Sequence, residues 1–196
     1  MEAFESFVAL AMETEGLVVS EAVKFPVTRQ TKKTSHAEIQ THWYEVDLVG
    51  ARRDRLVMAT VKSYLGSQGV RSDEVQGIRV GRTDGNRRYA MLNDPEIRDG
   101  ILAGAAARYD YEPSQIEYRL YVGKFAAAKQ GTHETVIRDW CAGQHVGAGP
   151  ISVHDLAEVA MAARRLAGTK TYRDNPALVA IKVLEEAKML VPLPPG

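Results

Sequence analysis

The residues of this chain best suited to chemistry lie between Trp43 and Tyr64, in the stretch WYEVDLVGARRDRLVMATVKSY. Glu45 and Asp47 stand two positions apart, and Lys62 closes the stretch. The pattern reads as two short strands joined by an arginine-rich turn. Strand side chains alternate between faces, so Trp43, Glu45 and Asp47 share one face of the first strand. Met58, Thr60 and Lys62 share a face of the second. Pairing the two strands lets a carboxylate and an ammonium converge at one sheet edge, with an apolar face behind them. Phosphodiester hydrolysis asks for such a set. Carboxylates can hold a divalent ion that activates water and relieves charge on the phosphoryl oxygens, while a lysine orients the water or neutralises charge.

Such a set needs rigid elements to hold it. Residues 2–15 carry Phe4, Phe7, Val8 and Ala11 at helical spacing, with Gly16 placed to end the helix. Leu17–Phe25 reads as a strand stopped by Pro26, and Thr28–Thr41 as a polar loop. After the two central strands come a Gly/Ser-rich loop and a short helix starting at Ser72. A hairpin over Ile78–Leu92 is expected around Thr83-Asp84-Gly85-Asn86. Asn93-Asp94-Pro95 starts a helix that runs to about Arg108, and Ile116–Phe125 is a further strand. From His133 onward the pattern is helical only: His133–Cys141, then a Gly-rich linker over Gly143–Pro150. A helix opening at a capping box around Ser152–Asp155 follows, and a last helix runs from Asn175 to about Leu190. The fold expected is a mixed α/β (α+β) core over residues 1–130, followed by a three-helix C-terminal subdomain over residues 131–196.

The 196 residues carry 25 basic and 25 acidic side chains, so the formal net charge is zero. That balance argues against indiscriminate coating of nucleic acid. Between Glu21 and Asp94 there are nonetheless 13 lysines and arginines against 7 acids, a positive middle suited to a polyanion. A single cysteine, Cys141, excludes an internal disulfide and a multi-cysteine zinc site. The acidic N-terminus does not read as a signal peptide, and no apolar run approaches the ~20 residues that span a bilayer. A cytoplasmic protein without membrane attachment is expected. No Gly-x-Ser-x-Gly, P-loop or dinucleotide fingerprint is present.

A leading helix carrying glutamates, three strands, Asp47-Leu48-Val49-Gly50 on the second and Thr60-Val61-Lys62 on the third resemble the PD-(D/E)XK nuclease superfamily. The resemblance covers about Glu2–Tyr64 and the helix and strand beyond. It implies a restriction-endonuclease-like α-β-β-β-α-β core, a Mg²⁺ (or Mn²⁺) cofactor and a DNA substrate. It also implies that Asp47 binds metal and Lys62 is the catalytic lysine. Glu13 or Glu15 matches the acid that many members place on the first helix, Glu5 lying a helix face away. Thr60 stands where the family has its second acid, two residues before the lysine. Glu74 on the following helix, or Glu45 beside Asp47, is then the replacement. The alternative is a nuclease-fold DNA-binding or assembly module that does not cut.

Lys32 and Lys33, with Arg52, Arg53 and Arg55 in the turn and Arg71, Arg79, Arg82, Arg87 and Arg88 after it, are the expected phosphate contacts. His36 and His42 flank the first site strand. The last helix is apolar on nearly every side, which fits core packing or a homodimer through the C-terminal helices. Tyr172-Arg173-Asp174-Asn175, just before it, is a further point of DNA contact if that unit touches DNA.

Overall fold

The computed structural model describes residues 3–30, 39–81, 85, 87–169 and 175–191. Lys32, Lys33, His36, Arg82, the Thr83-Asp84 and Asn86 positions and Tyr172–Asp174 lie outside the described residues. Helix α1 spans Ala3–Thr14, ended by Gly16 at φ 77°. Strands β1 (Val18–Gln30), β2 (Ile39–Arg52) and β3 (Arg55–Lys62) follow as an antiparallel meander. Short helices α2 (Ser72–Val75) and α3 (Ala90–Asn93) precede α4 (Pro95–Tyr109). Strand β4 (Ile116–Val122) then lies parallel to β3. Helix α5 (Glu134–Ala142) leads through the small hairpin β5 (His145–Val146) and β6 (Gly149–Pro150) to β7 (Ser152–Asp155). Helices α6 (Leu156–Ala167) and α7 (Pro176–Glu186) complete the order.

The result is a mixed α+β fold around a five-stranded mixed sheet, ordered β1-β2-β3-β4-β7. One face packs on α3, α4 and α5 through Val23, Phe25, Met58, Tyr118, Ile101 and Ile137. The other packs on α1 and α6 through Leu48, Val57, Val61, Phe4, Val8 and Val159. Asp94 caps α4 by accepting the Ile97 N–H, with Pro95 in the first turn, as its sequence requires. Gly100 lets α4 approach β1, since a Cβ there would meet the Val27 side chain at 2.7 Å.

Several expectations are corrected. Strand β1 continues through Pro26 because it is an edge strand, where a missing N–H can face solvent. No hairpin forms among the described residues of Ile78–Leu92. The Ile78 and Arg79 N–H groups bond to the Asp73 carbonyl instead, and Tyr89 and Leu92 turn into the core. Beyond His133 the chain is not helical only: Ser152–Asp155 is the fifth strand, parallel to β4. The capping box is shifted to Asp155 and Glu158. The three expected C-terminal helices are present, and Ile137, Cys141, Val146, Ile151 and Val153 share the apolar cluster of the first half of the chain.

Candidate active site

Asp47 sits where the sheet changes partner. The β2–β3 ladder ends at Leu48 opposite Ala59, and from there toward its start β2 runs on paired only with β1. On that other side Asp47 faces Ala22, the one step missing from an otherwise regular β1–β2 register. Ala22 has φ 51°, a left-handed conformation that strands do not use. The faces exchange at this point: Val19 packs toward α1 but Val23 toward α4, and Leu48 and Val46 divide in the same way. A regular strand would keep each of those pairs on one side. This twist turns Asp47 out of the sheet at the edge where β2 leaves β3.

The Asp47 carboxylate takes over what the departing strand no longer supplies. Its Oδ2 accepts the Val61 backbone N–H at 2.6 Å and the Lys62 Nζ at 3.1 Å. Both side chains of the ion pair are about one-fifth exposed, 19% for Lys62 and 21% for Asp47, so the pair is screened but reachable. Lys62 O accepts the Gly123 N–H, turning that peptide toward β4. Alternation then directs both the N–H and the C=O of Val61 toward the gap beside Asp47.

A cleft of about 690 Å³ opens over this point, lined by Asp47, Val61, Lys62, Ser63, Tyr64 and, from the start of α1, Glu5. Glu5, expected a helix face away, is therefore the first-helix acid that shares this cleft with Asp47 and Lys62. Glu15 lies ten residues further on, just past the end of α1 and about 15 Å away along the helix. It is bound there by Arg119 at 2.6 Å and Arg55 at 2.8 Å. Burial alone would raise the Glu15 carboxyl, but the Arg119 hydrogen bond and the two guanidinium charges hold it below its usual range. Glu13 does not line the cleft.

The remaining expected members lie elsewhere. Glu45 is half exposed on the β1–β2 ribbon and pairs with Lys24 at 3.6 Å. Thr60 is 5% exposed, and its hydroxyl points into the core at the Met91 sulfur, 3.8 Å away. Glu74 is buried against Arg79, and neither it nor Thr60 lines the cleft. The β2–β3 turn with Arg52, Arg53 and Arg55 sits at the far end of β3, some 20 Å of strand from Lys62. Arg52 is held bidentately by Asp54, Arg55 by Glu15 and Glu117, and Arg71 by Asp73. Arg53 is exposed in the turn. Of the expected basic residues, the one that the cleft gains beside Lys62 is Arg88.

The donor set suits a small hard cation. Mg²⁺ takes oxygen ligands and is commonly held by one or two carboxylates together with water and substrate phosphate. Asp47, Glu5 and the Val61 carbonyl edge provide that much. No group of three or more His, Cys, Asp or Glu side chains able to hold a metal occurs among the described residues. No helix there is long and apolar enough to cross a membrane. No protein-family model matches the chain, and neither a curated protein nor a solved structure matches it.

Proposed function

We propose that the protein is a metal-dependent DNA endonuclease of the PD-(D/E)XK kind, hydrolysing phosphodiester bonds in the cleft over Asp47 and Lys62. The observation that carries this reading is the convergence of Val61 N–H and Lys62 Nζ on one Asp47 oxygen, beneath a cleft that also receives Glu5. The succession α1-β1-β2-β3-α4-β4, with β3 and β4 parallel, agrees with a restriction-endonuclease-like core. Asp47, Glu5 and the Val61 carbonyl would hold Mg²⁺ or Mn²⁺, which when bound supplies charge neutralisation and a more acidic water. Asp47 fixes the direction of the Lys62 ammonium. Lys62 places positive charge where the phosphoryl oxygens gain negative charge, or orients the attacking water.

A second reading is favoured by Thr60. Its hydroxyl is buried under Met91, so the strand offers one carboxylate where a full site would offer two. A nuclease-fold module that binds DNA without cutting fits that observation. Supercoiled plasmid incubated with Mg²⁺ or Mn²⁺ separates the two. Hydrolysis predicts nicked product that disappears with a chelator; retained plasmid under a clear mobility shift, with no product at any metal concentration, selects the module.

A further inference from the structure

The cleft contains a second feature that the hydrolytic reading has not used. Arg88 lines it, and Arg88 Nη1 donates a hydrogen bond to the Tyr64 hydroxyl at 3.0 Å. Tyr64 follows Lys62 by two residues and has φ 43°, a left-handed conformation that non-glycine residues rarely adopt. Its ring packs partly buried against the core below. The neighbour of Arg88, Tyr89, is 0% exposed. The backbone at Arg88 is thus anchored by its buried neighbour, and the exposed guanidinium is tethered at its tip by the Tyr64 hydroxyl.

A guanidinium presents five N–H donors in a planar fork that matches phosphate oxygens in pairs. An anchoring bond to Tyr64 is compatible with such a pair. Ser63 and Ser67 add hydroxyls to the same lining. Of the arginines expected from the sequence to contact phosphate, Arg52, Arg55 and Arg71 pair with acids and Arg53 lies at the turn remote from Lys62, whereas Arg88 lines the cleft.

We infer that Arg88, positioned by Tyr64, is the phosphate-binding group of the cleft, and that its ligand is a backbone phosphodiester beside the one attacked. The inference rests on the hydrolytic reading for its ligand, but its test does not require cleavage. Duplex DNA binding is measured against salt concentration in chelator, for the wild type, Arg88→Ala, Arg88→Lys, Tyr64→Phe and Arg53→Ala, with thermal melts to establish folding. Each phosphate contact contributes about 0.9 to the log–log salt slope. Arg88→Ala should lower the slope by about one such step and weaken binding about tenfold, and Arg88→Lys should restore most of the slope. Tyr64→Phe, which frees the guanidinium without removing it, should weaken binding about threefold while leaving the slope. Arg53→Ala should change neither.

If cleavage is measured alongside, Tyr64→Phe should raise KM and leave kcat within about twofold. A folded Arg88→Ala or Arg88→Lys protein with the wild-type slope and affinity overturns the inference, as does a slope lost in Arg53→Ala instead. Cleavage that persists unchanged in Asp47→Ala overturns the hydrolytic reading and not the phosphate site. A wild type without salt-dependent DNA binding overturns both.

Discussion

Asp47 and Thr60 face each other across the end of the β2–β3 pair, and their different environments decide their different roles. Asp47 holds a backbone N–H and an ammonium on one oxygen and lines the cleft. Thr60 turns the other way, into a site whose nearest partner is a thioether, a weak acceptor. Thr60→Val should therefore leave cleavage within about twofold and change stability by less than about 1 kcal/mol, because the hydroxyl gives up only a weak bond on burial. Thr60→Glu should not restore an ideal acid pair. A carboxylate under Met91 would be buried without a donor, and a loss of several kcal/mol in urea-denaturation stability is expected. The approach of Asp47 and Lys62 was legible in the chain from two adjacent strands carrying them, although the contact itself is made where regular pairing ends and the β1–β2 ribbon twists. Glu5 was not, because the apolar spacing of α1 says which side is buried but not which end lies over Lys62. The arginines misled for a related reason. Arg52 and Arg71 are taken up by acids two residues along the chain, Asp54 and Asp73, whereas the partners of Arg55, Glu15 and Glu117, come from elements distant in sequence, which local charge counting cannot see.

The element that sets the geometry is the β1–β2 ribbon, which twists at Ala22 and Asp47. A β-branched residue tolerates positive φ poorly. Ala22→Val should cost about 1–2 kcal/mol and reduce cleavage more than stability alone explains, since it moves Asp47. Ala22→Gly should be neutral or stabilising. Thermal melts and cleavage rates of the two variants, compared side by side, check this. A second constraint lies at Gly123, where a Cβ would overlap the Ser63 carbonyl oxygen just beyond Lys62. Gly123→Ala should destabilise by about 1–3 kcal/mol through overpacking and disturb the end of β3. Most strands and helices could be read from period and capping. β7 could not, because four residues ending at a helix cap carry too little alternation to compete with the cap signal. The hairpin absent among the described residues of Ile78–Leu92 has a similar origin. Asp-Gly supplied a turn signal, but the backbone groups of Ile78 and Arg79 found a partner at Asp73.

Across the molecule, the end of the sheet remote from the cleft is tied by charge. Arg119, 4% exposed, bonds to Glu15 and Glu117, while Arg55 joins the same two acids. His154 stacks on Tyr121 and contacts Glu158; burial and the Arg119 charge hold its imidazole below the ordinary 6.5. Glu15 is likewise held below its ordinary 4.5. Both groups bind protons more readily in the unfolded chain, so both favour unfolding as pH falls. Their contribution is complete above about pH 6.5, erodes first as unfolded His154 protonates, and then as pH falls through the Glu15 range. Urea midpoints from pH 7 to 3 should fall in that order, and Glu15→Gln should flatten the lower part of the curve. The acids and arginines of this network were visible as residues, but their assembly depends on α1, β3, β4 and β7 meeting, which is a property of the whole fold.

The central claim is that Asp47 and Lys62 perform one metal-dependent hydrolytic reaction. Single-turnover cleavage of supercoiled plasmid in Mg²⁺, comparing the wild type with folded Asp47→Ala and Lys62→Ala, tests it most directly. The expected result is product from the wild type, with losses of at least about 10²-fold in each variant, as for removal of a group that stabilises the transition state. Equal rates in all three proteins would contradict it.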